Sequence, residues 1–266
     1  MADDTSEKKS WRTGCGYVFV SLVFFAVVAG FLALRPVREA KQIEQNLTDR
    51  FGEVPSFSPA AHGTVAPERI ETFIAVRESL RETCARMQEN RNRFDNLARM
   101  EEKGEVSSDD IVDGFKTAIG FGPDFFHLMR SRNDALLAKG MGLGEYSYIY
   151  VLAYRDQLKG LVAGQDNKNI IKPRTRMELT QILRNQLASL NSGDAAEEAR
   201  EMILSVQEEI NALENGTHAI PWEDGLPPVI EDSLVPFREQ LDELFFEASA
   251  RFELRQKNKR PGGIGD

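Results

Sequence analysis

The fold is decided by residues 68–100, ERIETFIAVRESLRETCARMQENRNRFDNLARM. Apolar side chains recur along this stretch at helical spacing: Phe73, Val76, Leu80, Cys84, Met87, Phe94 and Leu97. Such spacing places them on one face of an α-helix, and the Arg-, Glu- and Asn-rich opposite face is predicted to be solvated. A helix from Pro67 to Gly104 would be roughly 55 Å long. We therefore predict either the spine of a helical bundle or a coiled coil that faces a partner.

The segments that follow are also typical of helices. Residues 107–138 and 145–162 are helical in pattern, and we expect the first to break at Phe121-Gly122-Pro123. The glycine-rich residues 140–144 are predicted to form a turn between helices, because no strand precedes them and no P-loop lysine follows.

Two further stripes, at residues 175–190 and 194–213, predict an antiparallel helical hairpin closed by Gly216. A last helix is expected from Ser233 to Phe252. The sequence shows no alternating strand pattern and no internal repeat. The predicted fold class is therefore all-α, a multi-helix bundle with antiparallel hairpins that follows an N-terminal transmembrane helix.

The transmembrane prediction rests on residues 16–34, GYVFVSLVFFAVVAGFLAL, which carry no charge, Asn, Gln or Pro. Nineteen residues of helix are roughly 29 Å long, close to the hydrocarbon thickness of a bilayer. Tyr17 and Trp11 stand near one end, where interfacial aromatic residues are common. We predict one membrane span. A cleaved signal peptide with a basic region at residues 8–12 is the alternative.

The orientation is less constrained, because three basic residues flank the run on each side. We expect the short N-terminal tail inside and the C-terminal domain outside the cytoplasm, in an extracytoplasmic or periplasmic location. The predicted organisation is a polar tail (1–15), the transmembrane helix (16–34), a juxtamembrane helix with a Pro/Ala linker (35–66), a helical domain (67–256) and a disordered basic, Gly-rich tail (257–266).

Composition excludes several classes of function. A net charge of -9 and a pI near 5.1 do not fit a nucleic-acid binder. Two cysteines cannot build a disulfide framework, and three histidines at no metal-binding spacing argue against a metal site. No GxSxG, HExxH or dinucleotide-binding motif occurs. We therefore predict no catalytic, cofactor-binding or metal-binding residue, and we expect Cys84 to be a buried apolar residue.

Tyrosine is unusually concentrated in one predicted helix. Tyr146, Tyr150 and Tyr154 are spaced four apart and therefore share a face. Tyrosine is favoured at protein interfaces because it combines a large apolar ring with a polar tip. Two alternatives follow: a face packed into the bundle with its hydroxyls at the rim, or a partner surface formed by these three residues.

One resemblance adds to this interpretation. The apolar run, the Pro/Ala segment, residues 67–77 (PERIETFIAVR) and residues 141–149 (MGLGEYSYI) resemble uncharacterised single-pass helical envelope proteins of bacteria. The resemblance implies a bacterial envelope setting and no particular activity. The sequence thus predicts a membrane-anchored, non-catalytic helical interaction or scaffold protein that contacts the bilayer through 16–34 and an envelope protein through its domain. The alternatives are a carboxylate-based bundle enzyme and a small-molecule sensor that acts through a partner.

Overall fold

The long predicted helix is α2, Pro67–Glu102. The structure is a computed structural model that describes residues 39, 42–102, 108–163, 171–192 and 199–253; for residues 97–98, 101–102, 108–123 and 251 it describes the backbone alone. With 36 residues, α2 is about 54 Å long. Its apolar stripe is fully buried from Phe73 to Met87, but Phe94, which the pattern placed on the same stripe, is 46% exposed.

Every regular element of the described residues is helical, which confirms the all-α prediction. The helices are α1 (42–51), α2 (Pro67–Glu102), α3 (Ser108–Lys139), α4 (Leu143–Ala153), α5 (Arg155–Ala163), α6 (Pro173–Asn191), α7 (Arg200–Asn215), α8 (Pro228–Leu234), α9 (Arg238–Glu243) and α10 (Glu247–Glu253), with single 3₁₀ turns at Val54–Ser56 and Val235–Phe237.

Helices α2 and α3 pack antiparallel along much of their length. The Asn90 side-chain amide donates to Asp124 Oδ2 (2.9 Å), and further along the pair Thr83 Oγ1 lies 3.4 Å from His127 Nδ1. The predicted break at Gly122-Pro123 is wrong, since the backbone of α3 is helical through both residues. An interior proline removes one backbone hydrogen bond, and the packing of α3 against α2 offsets that loss.

The turn from α3 to α4 forms at the glycine-rich residues 140–144, as predicted. Gly140 has φ 69°, and the Met141 N–H closes the end of α3 by donating to Leu136 O at 3.0 Å. Helix α4 is then buried on nearly every side; its one residue outside that buried set is Glu145. A helix without a polar face belongs in the centre of a bundle, so α4 is the core helix.

Helices α6 and α7 form the predicted antiparallel hairpin. Arg184 on α6 pairs with Glu214 near the end of α7, and Gly216 closes α7 in the left-handed conformation with φ 74°. Residues 193–198, between these helices, lie outside the described residues.

The predicted linker is a packed part of the domain, which corrects that expectation. The described residues from Ile43 onward form one compact unit. Val54 and Val65 are buried, and the Asn185 amide of α6 donates to Pro55 O (2.8 Å) and Phe57 O (2.9 Å). Small and Pro residues indicate an irregular backbone, but they do not indicate whether that backbone is packed against a core.

The predicted C-terminal helix is divided into α8, a 3₁₀ turn, α9 and α10. Pro236 lies in the 3₁₀ turn. Because a proline has no backbone N–H to donate, a continuous α-helix is disfavoured at this position. Helix α10 returns to α2, where the Ala248 N–H donates to Gln88 Oε1 at 2.9 Å.

The predicted membrane segment, residues 16–34, lies outside the described residues, as does the tail 257–266. Among the helices that the structure does describe, none combines the length and the apolar character that a bilayer span requires.

Candidate functional site

The tyrosine face of α4 is an interior face. Tyr146, Tyr150 and Tyr154 are 1%, 0% and 0% exposed. Their rings contact one another and Phe73 of α2, with the centroids of Tyr150 and Tyr154 4.9 Å apart. Of the two alternatives, the packed face therefore describes this conformation. The three tyrosine side chains have almost no exposed surface with which a partner could make contact. Their hydroxyls lie deep in the core, which corrects the expectation that they would reach the rim.

The tyrosines surround a buried arginine of α2. Arg77 Nη1 donates to Tyr146 Oη (3.1 Å) and to Glu253 Oε1 (2.5 Å), while Nη2 donates to Leu244 O (2.7 Å). The guanidinium carbon also lies 5.3 Å from the ring centroid of Tyr150 and 5.6 Å from that of Tyr154, in cation–π geometry. Arg77 is 1% exposed and therefore lies on the buried face of α2 with the apolar stripe.

Glu253, in the last turn of α10, is the acidic centre of this cluster. Its side chain is 0% exposed, and its second oxygen accepts from the Tyr146 hydroxyl at 3.1 Å. Arg132 of α3 donates to the Glu253 backbone carbonyl at 3.0 Å and lies 3.6 Å from its carboxylate. Helices α2, α3, α4 and α10 therefore meet at one buried ionic cluster, formed by Arg77, Arg132, Tyr146 and Glu253.

The surroundings of the ionic cluster fix its protonation. Burial disfavours the charge of Arg77, but the neighbouring Tyr146 and Glu253 oxygens outweigh burial and raise the pKa of Arg77 well above its ordinary value. Burial raises the pKa of the Tyr146 hydroxyl well above its ordinary value, although Arg77 opposes that shift. At neutral pH Arg77 is therefore a guanidinium cation and Tyr146 a neutral phenol.

Some polar atoms beside the ionic cluster are buried without a hydrogen-bond partner: Arg77 Nε, Tyr150 Oη and Tyr154 Oη. Each costs stability, because it has lost water without gaining a partner. The cluster as a whole connects four helices, and it offers no solvent-exposed atom at which a substrate could react.

The histidines have three different surroundings. His62 contacts Thr64, and His127 contacts Thr83 and Ser131, as surface histidines commonly do. His218 differs, since its Nδ1 lies 2.9 Å from Glu209 Oε1 and its Nε2 lies 3.1 Å from Asp224 Oδ2.

Three pairs of adjacent acidic residues, Asp109-Asp110, Glu197-Glu198 and Glu223-Asp224, form no site in the described part of the chain. Asp109-Asp110 and Glu197-Glu198 have no described side chains. Glu223 accepts from the Ala219 N–H, and Asp224 pairs with Lys159 and His218. No group of three or more metal-ligating side chains occurs among the described residues.

Cys84 is a free, fully buried cysteine, as predicted. Burial raises the pKa of its thiol to about 11, although Arg77 acts in the opposite direction. The thiol is therefore protonated at neutral pH and behaves as a small apolar group.

A groove of about 670 Å³ lies between the α6–α7 hairpin and the start of α8. Its walls are mainly apolar and include Leu190, Met202 and Val229, with His62 and Glu201 as the ionisable residues among its described lining. The volume falls in the range of small-molecule sites. A smaller groove of about 270 Å³ lies beside the bidentate ion pair of Arg69 and Glu145.

Sequence reasoning missed the ionic cluster. Arg77 follows Phe73 by four residues and precedes Leu80 by three, so a charged residue stood within the predicted apolar stripe. That position is a signal of a buried, paired charge. Nothing local in the sequence could have identified Glu253, 176 residues away, as its partner.

Comparison of the chain with known protein families, curated proteins and solved structures finds no match. Arguments about function therefore rest on the residues and their geometry.

Proposed function

We propose that the protein is a membrane-anchored, non-catalytic helical scaffold or interaction protein of the cell envelope. In this proposal residues 16–34 cross the bilayer once, and the helical domain lies on the extracytoplasmic side. The observation that carries the proposal is the uncharged run of 19 residues, which is long enough to span as a helix.

The interior of the domain supports a non-catalytic role. A catalytic acid or base must come within hydrogen-bond reach of its substrate. Arg77 and Glu253 are fully buried and pair with each other, and Arg132 is 1% exposed. The ionic cluster thus has the residue types of an acid–base site, but its charged groups bind one another and join helices. This favours the scaffold over the bundle enzyme.

Among the residues that the structure describes, the hairpin of α6 and α7 carries the two most exposed large apolar side chains. Met177 of α6 is 71% exposed and Leu204 of α7 is 57% exposed. Large apolar side chains in solvent are favourable contact points because their burial by a partner releases water. We therefore assign partner contact to this hairpin, in place of the buried tyrosines.

Membrane attachment is tested first, by fractionating cells that express the full chain. The protein should stay with the membranes through high-salt and alkaline washes and should require detergent for release. The double variant Val23→Lys/Val27→Lys should shift it to the aqueous fraction, since each central lysine costs about 2.5–3.5 kcal/mol of insertion. Val37→Lys, outside the run, is the matched control and should not. Uncleaved wild-type protein in the aqueous fraction would contradict the anchor.

Orientation and partner contact need separate measurements. A reporter fused after Asp266 should be active only outside the cytoplasm, and cytoplasmic activity would contradict the proposed orientation. A photo-crosslinking residue at position 177 or 204 should give adducts with an envelope protein, identified by mass spectrometry. The same residue at the exposed position 208 is the control. Adducts at 208 alone would contradict the assignment to the apolar positions.

One observation favours the sensor alternative. The larger groove has the volume and the apolar lining of a small-molecule site. However, its described lining contains neither Tyr nor Phe, so no aromatic ring is available there to stack on a ligand. A thermal-shift screen of apolar small molecules would support this alternative if the stabilisation were lost in Met202→Glu.

A further inference from the structure

His218 lies in the turn after α7 between two carboxylates. Its Nδ1 faces Glu209 Oε1 at 2.9 Å, and its Nε2 faces Asp224 Oδ2 at 3.1 Å. An ionised carboxylate can only accept hydrogen bonds, so both ring nitrogens must donate. Only the imidazolium ion carries a proton on both nitrogens. A neutral ring would direct one lone pair at a carboxylate and lose one of the two bonds.

The charged groups around the ring favour the cation. Glu209 on α7 is buried, and Asp224 is largely exposed on the opposite side. Lys159 of α5 lies 3.2 Å from Asp224 Oδ1 and also donates to Glu223 O. Two arginines lie near the same turn: Arg176 Nη1 is 3.5 Å from where a Cβ of Gly216 would stand, and Arg155 Nη1 is 3.8 Å from where a Cβ of Gly225 would stand. Glu223 directs its carboxylate at the Ala219 N–H. Two carboxylates thus contact the ring directly, while the ammonium contacts only the outer one.

The pKa of His218 follows this arrangement. Partial burial disfavours the charged ring, but the hydrogen bonds to Glu209 and Asp224 and their attraction outweigh it, so the pKa is raised. Lys159 first, and His218 after it, lower the pKa of Asp224. Asp224 is therefore ionised wherever the ring titrates.

The contacts of His218 with Glu209 and Asp224, here called the bridge, hold a loop that has a strained backbone. Residues 217–227 connect α7 to α8, and Trp222 in this loop has φ 62°, a left-handed conformation that is costly for a large side chain. The Trp222 side chain is buried. The loop ends at Pro227, in the wall of the larger groove. The strained backbone of Trp222 favours release of the loop if the contacts of His218 with its two carboxylates are lost.

We propose that His218 is a proton-operated clasp that holds the Trp222 loop against α7 and, through Pro227, sets the wall of the larger groove. This goes beyond the proposed scaffold function and does not depend on it. The clasp contributes its full stability below about pH 6.5, the ordinary value for histidine. That contribution is lost as the pH rises through the higher value of the folded protein. At mildly alkaline pH the neutral His218 therefore releases the loop, and at acidic pH the protonated His218 holds the loop against α7.

Tryptophan fluorescence can test the clasp, because the chain has two tryptophans, Trp11 and Trp222. In the full-length Trp11→Phe protein in detergent, emission should shift to longer wavelength as the pH rises, with a one-proton midpoint above 6.5. Glu209→Gln should lower that midpoint by about one pH unit, since it removes a contacting charge. His218→Gln should abolish the transition, whereas His62→Gln and His127→Gln should leave it unchanged.

The opposite results would overturn the proposal. A flat wild-type titration would show that the loop does not respond to the proton. An unchanged transition in His218→Gln would assign the response to another group. If His218→Gln does not fold, Glu209→Gln decides by itself, because an unmoved midpoint excludes the bridge as the origin.

Discussion

Arg77 of α2 and Glu253 of α10 form an ion pair in which both side chains are fully buried, although 176 residues separate them in the chain. The Tyr146 hydroxyl donates a further hydrogen bond to Glu253, and the Leu244 carbonyl accepts one from Arg77. The pair joins the C-terminal helix to the spine of the bundle. Removal of either partner leaves an uncompensated charge in the core.

Glu253→Ala should therefore lower the free energy of unfolding by about 3–5 kcal/mol, because it strands Arg77 and Arg132. Glu247→Ala is the matched control on the same helix. Its carboxylate pairs with Arg91 at the surface and is 40% exposed, so its loss should cost at most about 1 kcal/mol. Urea unfolding in detergent measures both. Equal losses in the two variants would contradict a special role for the buried pair.

The three buried tyrosines should respond differently to removal of the hydroxyl. Tyr146→Phe loses bonds to Arg77 and Glu253, and should cost about 1–3 kcal/mol. Tyr150→Phe and Tyr154→Phe remove hydroxyls that have no hydrogen-bond partner, and should be neutral or stabilising. Both keep the aromatic face that Arg77 contacts. A large decrease in the free energy of unfolding in Tyr150→Phe would show that the Tyr150 hydroxyl does have a hydrogen-bond partner.

Two helical glycines should have opposite responses to alanine. A Cβ at Gly144 would lie 2.5 Å from Val54 O and 2.7 Å from Phe57 Cβ, so Gly144→Ala should cost about 1–3 kcal/mol. A Cβ at Gly160 in α5 would meet nothing within 4 Å. Gly160→Ala should thus stabilise the domain by about 0.4–1 kcal/mol through helix propensity. Thermal unfolding compares them. A neutral Gly144→Ala would indicate that residues 54–57 can move away from α4.

Cys84 should be unreactive in the folded protein. Its thiol is buried and has a pKa of about 11, so the nucleophilic thiolate is scarce at pH 8. In a Cys15→Ser background, labelling by a maleimide at pH 8 should be slow and should accelerate at least tenfold in urea. Rapid labelling without denaturant would mean that α2 and its neighbours open readily at this position.

Local pattern was enough to predict much of the bundle. The spacing of Phe73, Leu80 and Met87 predicted α2, and Gly216 predicted the end of α7, because periodicity and backbone conformation are properties of neighbouring residues. The pattern failed at Phe94, at the break expected at Pro123, and for residues 51–67. In each case packing against a distant segment decides the outcome.

The sequence by itself determined the all-α class, the main helices and a 19-residue apolar run suited to a bilayer. Only the tertiary structure decided that the tyrosines of α4 face inward onto Arg77, that Glu253 is the partner of Arg77, and that His218 bridges Glu209 and Asp224. The physical reason is the range of the interactions. Helix formation depends on neighbours within about one turn, whereas the partner of a buried charge is chosen by how the helices pack.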